Sequence, residues 1–470
     1  MKDRMERKTG RTQRIEYRLL GVVGKGTYGV VYKARSRITY SGGDVVPMEE
    51  GGGGGGGGGG GEEGEQQQGA GEDRRMFGWE GMADGSEVEV AIKEFTMVGR
   101  VKGVPLSGIR EITLLRELDH VNIIKLVDVV LDPPSATTFL IFEYIEYDLE
   151  IIEHFHFSAS KPLSPECIKS TVWQILCGLD YLHSNWIMHR DMKPANVLVG
   201  GAGKTWGHVK IGDFGMARVF RDPAAPLCAN NPVVATLWYR APELVLGAAH
   251  YTTSVDMWAV GCILAELLFM NILFKGKQTK EGASNPNVLQ EHQLKEIISI
   301  LGSPRTSDWP EVVDLRHAAR LNDYEDIPSR LDSYLEREAG RVKHLGRPSQ
   351  FMASPVVDLI KRLLVYNPKD RISASDALAH QYFSVNPAPS HCIFSGREKG
   401  NKYPKRKFIK DLTGSNPSST TTTTTATSSN VAGRKRGPPP PGGPGSHQGL
   451  SHSRSAKRSK PLPPGRRPGP

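Results

Sequence analysis

The stretch HRDMKPANVLV (189–199) sets an aspartate, a lysine two positions on and an asparagine five on, followed by an apolar run. A carboxylate, an ammonium and an amide within six residues can accept a proton from a hydroxyl, screen a developing charge and hold a divalent cation. Downstream, KIGDFGMAR (210–218) places a second carboxylate, Asp213, at a strand end. Upstream, EVEVAIKEF (87–95) places Lys93 in mid-strand, where a buried ammonium needs an anion beside it. Nucleotide phosphates are one such anion, and a carboxylate from elsewhere in the chain is another, with Glu111 as the candidate. These parts suit phosphoryl transfer, in which the protein does little covalent work and acts through positioned charge. Asp191 is then the acceptor of the hydroxyl proton, Lys193 the screen for the γ-phosphate, and Asn196 and Asp213 the Mg²⁺ ligands. Lys93, held by Glu111, would face phosphate.

A glycine-rich stretch, GKGTYGVV (24–31), fits the spacing G-x-G-x-x-G-x-V. Alone it is also what an ordinary hairpin turn needs. Read with the other motifs, it lets backbone N–H groups approach phosphate oxygens without a side-chain clash. Val23, Gly24, Lys25, Gly26, Thr27, Tyr28, Gly29, Val30 and Val31 are the nucleotide-binding candidates there. The stretch joins two strands and opens no helix, which argues against a dinucleotide-binding fold. These motifs, with APE (241–243) after them, resemble in identity and order the signature set of protein kinases.

The elements that must position these residues follow from periodicity. IEYRLLGVVGKGTYGVVYKAR (15–35) reads as strand, turn, strand. Residues 36–87 are rich in Gly, Glu and Gln, with eleven consecutive glycines at 51–61, and are expected to remain a disordered loop. A strand resumes at 87, and VKGVPLSGIREITLLREL (101–118) reads as a helix entered past Pro105. At about 100° per residue, Glu111, Leu114, Leu115 and Leu118 share one arc, while Ile109 points about 160° away from Glu111. ATTFLIFEYIE (136–146) is another apolar strand, and from Ser164 the pattern turns helical. The expected layout is α+β, with a small β-rich lobe followed by a larger helical lobe ending near Phe383.

Charge and composition bound the rest. The net charge is +9, yet from Arg397 onward there are 16 Lys/Arg against Glu398 and Asp411, so the preceding residues are acidic on balance. The five cysteines are scattered and form no CxxC, which excludes a disulfide framework or zinc site and suits a reducing compartment. The charged start MKDRMERKTGRTQR has no apolar core, so no secretory signal is expected. VDMWAVGCILAELLFMNILF carries Asp256 and Glu266 and reads as a buried helix, not a membrane span. Beyond Thr413 the chain is low in complexity, with Thr420–Thr425, a Pro/Gly run and the basic clusters RKR (434–436) and AKRSK (456–460). That tail suits a receptor-read nuclear import signal, weak salt-sensitive contact with nucleic acid, or a solubilising role.

With these motifs in order, residues of about 17–383 resemble a eukaryotic protein kinase with two lobes. The resemblance implies a basic extension at 1–14 and a kinase domain at 15–383, with the insert at about 36–87 and a hinge near 143–146. It further implies an extension at 384–412 and a tail at 413–470. ATP and Mg²⁺ would be the cofactors, with Phe142 behind the nucleotide, Glu143 and Ile145 at adenine, and Asp148 lining the site. Glu243 would pair with Arg371, and Asp256 would brace the catalytic loop. Lys193 after HRDM is similar to the serine/threonine class.

PLSGIRE (105–111) lines up with the PSTAIRE-type helix of cyclin-dependent kinases, in which this helix docks on a cyclin; Ile109 would then face the partner. YLHSNWIMHRDMKPANVLV, NPVVATLWYRAPELVLGAAHYT and NKYPKRKF (401–408) resemble the Mediator-associated members, which pair with cyclin C and include the plant E class. Transfer to Ser/Thr followed by Pro is implied, with Val234 and Arg240 at the proline pocket and Ala235 where valine is usual. The implied targets are the RNA polymerase II C-terminal repeat and transcription factors, in the nucleus, with other Mediator kinase-module subunits as partners. Between Gly215 and Trp238 the sole hydroxyl residue is Thr236; Asn231 stands where related kinases carry a phosphorylated threonine. Arg110, Arg190 and Arg218, which would grip that phosphate, are all present, so the resemblance implies an acidic group supplied by the cyclin. Two other readings stay open: a cell-cycle or splicing kinase of the same group, and a mainly structural Mediator-docking module.

Overall fold

The structure is a computed structural model that describes residues 4–9, 13–26, 29–40, 85–95, 106–132, 137–219, 237–277, 286–324, 326–342, 345–394, 403–404 and 406. All lie within the unit Met1–Leu412.

Alternating apolar and polar residues build an antiparallel sheet of six strands: β1 (Arg4–Thr9), β2 (Gln13–Gly26), β3 (Gly29–Tyr40), β4 (Glu87–Glu94), β5 (Leu126–Asp132) and β6 (Thr137–Glu143). Their order across the sheet is β1-β2-β3-β4-β6-β5. Two sequence expectations are corrected here. Residues 4–9, assigned to an extension, pair with β2 as an edge strand. Residues 36–40, assigned to the insert, continue β3 opposite Gln13–Tyr17, because Ile38 and Ser36 are buried in that pairing. The remainder of the insert, 41–84, lies outside the described residues.

The two faces of the sheet do different work. Val90 and Ile92 turn to one side, where Ile15, Tyr17, Ala34, Ile38 and Ile141 close a small core. Ala91 and Lys93, one position out of phase, turn to the other side, as the two-residue period of a strand requires. Against that side packs α1 (Leu106–Glu117), with Leu114 and Leu115 buried.

The helical lobe follows: α2 (Leu149–Ser158), α3 (Pro165–Ser184), α4 (Pro242–Val245), α5 (Ser254–Phe269) and α6 (Pro286–Leu301). Ser164 caps α3, its hydroxyl accepting from the Cys167 amide, and Pro165 begins the helix where its missing N–H costs nothing. α5 is buried almost all round, with Trp258 fully inside, which is why its sequence shows no polar stripe. Short strands β7 (Tyr147–Asp148), β8 (Ile187–Met188), β9 (Val197–Val199), β10 (Val209–Ile211) and β11 (Arg218–Val219) carry the loops between the lobes. No helix among the described residues is long and apolar enough to cross a membrane.

Candidate active site

Lys93 sits on β4 between the register partners Val31 and Leu140, in the middle of the sheet. Its Nζ lies 2.7 and 2.9 Å from the two carboxylate oxygens of Glu111 and 2.9 Å from Asp213 Oδ1. One ammonium thus joins the strand, the helix and the loop after β10. Burial alone would lower the Lys93 pKa, but the Asp213 and Glu111 carboxylates outweigh it and raise it. For Glu111 burial dominates and raises the pKa despite Lys93. For Asp213 burial acts the same way, yet Lys93 and its hydrogen bond outweigh it and lower the pKa. Asp213 is the group held ionised.

The catalytic-loop segment follows β8. Asp191 Oδ2 accepts from Lys193 Nζ at 2.6 Å and from Asn196 Nδ2 at 3.0 Å; the same amide nitrogen donates to the Asp191 carbonyl at 2.7 Å. That leaves Asn196 Oδ1 and Asp213 Oδ2 as oxygen donors without a protein partner among the described residues. Two oxygens of this kind fit Mg²⁺, which takes few protein ligands and completes its shell with water and phosphate oxygens.

The loop is held from below. Asp256, buried at the start of α5, accepts from the backbone N–H of His189 at 2.9 Å and of Arg190 at 2.7 Å, and from His183 Nε2 at 3.0 Å. Its pKa is lowered because these hydrogen bonds outweigh burial. Arg190 and Asp213 both adopt left-handed backbone, φ 70° and 58°. Such residues cost on the order of 1 kcal/mol or more and persist where the surroundings over-determine them, here through Asp256 and Lys93. Glu243 and Arg371 pair in the core at 2.8 and 3.0 Å, as expected.

The glycine-rich candidates Val23, Gly24, Lys25, Gly26, Gly29, Val30 and Val31 lie along the β2–β3 hairpin, with Gly26 opposite Gly29. A Cβ on Gly29 would meet Glu94 O at 1.9 Å, so only glycine lets the hairpin approach β4. Thr27 and Tyr28 lie outside the described residues, as do Val234, Ala235, Thr236 and Asn231. Arg240 shares a small crevice with Asp191 and Lys193. Phe142 and Ile145 are buried in the main hydrophobic core. The Glu143 side chain is drawn behind the hinge, pairing with Lys210 at 2.9 Å and accepting from the Lys125 amide.

Arg190 donates to the Met216 carbonyl and, at 2.6 Å, to Tyr251 Oη. Burial lowers its pKa, Tyr251 opposes that, and Arg218 and Arg110 both stand close enough to lower it further. Ile109, on the opposite side of α1 from Glu111, is 49% exposed.

Asp148 differs from expectation. Its Oδ1 caps α2 by accepting from the Ile151 amide at 2.8 Å, and its Oδ2 pairs with Arg406 at 3.0 Å. Both oxygens are committed to holding α2 and the C-terminal segment, so a direct nucleotide contact has to compete with them. Sequence reasoning noticed NKYPKRKF but missed Arg406 as a site residue; its contact with Asp148 spans most of the chain and leaves no local signal.

A protein kinase domain matches residues 74–383. The chain belongs to the protein kinase family. This kinase is similar to Cyclin-dependent kinase E-1 of Arabidopsis thaliana, 40% identical over 83% of this chain and 72% of that one. It is similar to Probable cyclin-dependent kinase 8 of Dictyostelium discoideum, 43% identical over 68% of this chain and 79% of that one. The crystal structure of the yeast RNA Pol II CTD kinase CTDK-1 complex aligns with a TM-score of 0.52 at 31% identity, covering 64% of this chain and 88% of that one. The kinase is a protein serine/threonine kinase of the cyclin-dependent type and uses ATP. The bilobal α+β architecture expected from the sequence is the observed one.

Proposed function

We propose that this kinase is a cyclin C-type-partnered transcriptional enzyme of the Mediator kinase module, acting in the nucleus on Ser/Thr-Pro sites of the RNA polymerase II C-terminal repeat and of transcription factors. Supporting this are the E-class and type 8 relatives, the fold shared with a polymerase C-terminal-domain kinase, and the NKYPKRKF segment. ATP with Mg²⁺ supplies the phosphoryl group and neutralises its charge. Asn196 and Asp213 would hold the metal, and Lys93, aimed by Glu111, would face the phosphates. Asp191 would accept the hydroxyl proton of the substrate, while Lys193, already 2.6 Å from it, would screen the charge that develops. Val234 and Arg240 would receive the proline.

The observation that carries the regulatory part is that Arg110 and Arg218 both act by charge on Arg190. Like charges so placed are stabilised by an anion, and the activation segment offers Asn231 where a phosphorylated threonine would stand. An acidic side chain from the cyclin supplies the anion in this reading, and Ile109 docks on the same partner. The Lys93–Glu111 pair is closed within the single chain, so the partner acts by fixing the arginines and the outer face of α1. Arg218→Ala, assayed on a Ser-Pro repeat peptide with and without the cyclin, is expected to reduce the partner-stimulated rate to the partner-free level. Stimulation as large as in the unaltered kinase contradicts the proposal.

A further inference from the structure

A cavity of about 260 Å³ opens beside the catalytic loop, walled by α2, Pro194, Trp238 and Tyr239, and the end of α5 with the turn after it. Three carboxylates line it: Glu150 and Glu153 from α2 and Glu266 from α5. Glu266 accepts a hydrogen bond from Tyr239 Oη at 2.7 Å. The Oε1 of Glu153 differs: it is buried and, among the described residues, makes no hydrogen bond. The lysine on the wall, Lys275, lies 5.7 Å over the Trp238 ring and attracts Glu266. His154 also lines the cavity and favours ionised Glu150.

Lys275 acts on Glu266, and Lys193 and His154 act on Glu150, whereas the charges that act on Glu153 are other carboxylates. Burial raises the pKa of all three acids; Glu266 and Glu150 push Glu153 further up, and Glu150 pushes Glu266. A buried carboxylate oxygen without a donor is costly and is relieved by a proton or by a cation. The cavity is smaller than the roughly 300–1,000 Å³ of ordinary small-molecule pockets and suits a single long side chain. Its position also matters. Pro194 is three residues from Asp191, Glu150 feels the charge of Lys193, and Tyr239 precedes Arg240 in the neighbouring crevice. Whatever enters therefore lies next to the path of the phospho-acceptor.

We infer that this cavity is a specificity subsite that takes the guanidinium of an arginine in the protein substrate, a few residues from the phosphorylated Ser/Thr. A planar fork of donors matches paired carboxylates, and Trp238 and Phe157 supply aromatic surface for its faces. The inference rests on the reading of Asp191 as the catalytic centre.

The test uses the full chain with its bound cyclin and a set of Ser-Pro peptides in which one arginine replaces alanine at each flanking position in turn. Both kcat/KM and the Kd from fluorescence anisotropy are measured. Arginine at one position is expected to improve both by about tenfold over the all-alanine peptide, as a charge-assisted contact would. In Glu153→Gln the ratio of arginine to alanine peptide should fall close to one, and in Glu150→Gln it should shrink. Equal treatment of every peptide by the unaltered kinase, or full preference retained in Glu153→Gln, overturns the inference; phosphorylation of the alanine peptide would still uphold the catalytic reading. If no peptide is phosphorylated, the catalytic reading fails and anisotropy alone decides the subsite.

Discussion

Lys93, Glu111 and Asp213 share one cluster, yet the field divides them: the Lys93 charge holds Asp213 ionised, while Glu111 is pushed toward its neutral form by burial. Glu266 shows the second effect in a form that can be measured. Burial, with Glu150 adding to it and Tyr239 opposing, raises its pKa from 4.5 to about 7. A carboxyl whose folded pKa is raised favours the folded state below its unfolded pKa and loses that contribution as pH rises through the folded one. Stability should therefore decline between about pH 4.5 and 7 by an amount on the order of 1–3 kcal/mol attributable to this group. Glu266→Gln, followed by denaturant midpoints across that range, should flatten this part of the profile. A profile identical to that of the unaltered protein would show that Glu266 titrates normally.

At the scale of elements, α1 was legible because a helix repeats every 3.6 residues: the charge pattern alone put Glu111 with Leu114 and Leu115, and Ile109 on the other side. Lys93 was legible because a lysine between alanine and isoleucine in a strand needs an anion. The C-terminal segment was not legible in this way. Tyr403 is buried against the rings of Tyr147, Phe155, His156 and Phe394 at 5.3–5.6 Å, and its hydroxyl meets His156 Nε2 at 3.0 Å across 247 residues of sequence. No local period encodes such a contact. The strand residues 36–40 were misread for a related reason: their burial comes from β2 and not from their own composition. Tyr403→Ala is expected to destabilise the kinase by about 3–5 kcal/mol, and Tyr403→Phe by about 1 kcal/mol. Hydrogen exchange in 149–158 should quicken in the first variant, because α2 loses the ring that covers Phe155 and His156. Unchanged melting and exchange in Tyr403→Ala would mean that the segment does not brace α2.

At the scale of the molecule, partner control would rest on the exposed Ile109 and on Arg190, on which Arg110 and Arg218 both act by charge. A bulky charge at Ile109, as in Ile109→Asp, should prevent co-purification of the cyclin while leaving thermal stability within about 0.5 kcal/mol, since the side chain is half exposed. Loss of folding in that variant would mean that the residue serves this chain's own packing. The central claim, that a partner replaces activation-segment phosphorylation, is tested most directly by one measurement. The rate of Ser-Pro peptide phosphorylation by the full chain is compared with and without the cyclin, while mass spectrometry reads the modification state of residues 213–243. A rise of about tenfold or more is expected on adding the partner, with that segment unmodified throughout. An equal rate from the chain alone, or activity that appears only when Thr236 carries phosphate, would contradict it.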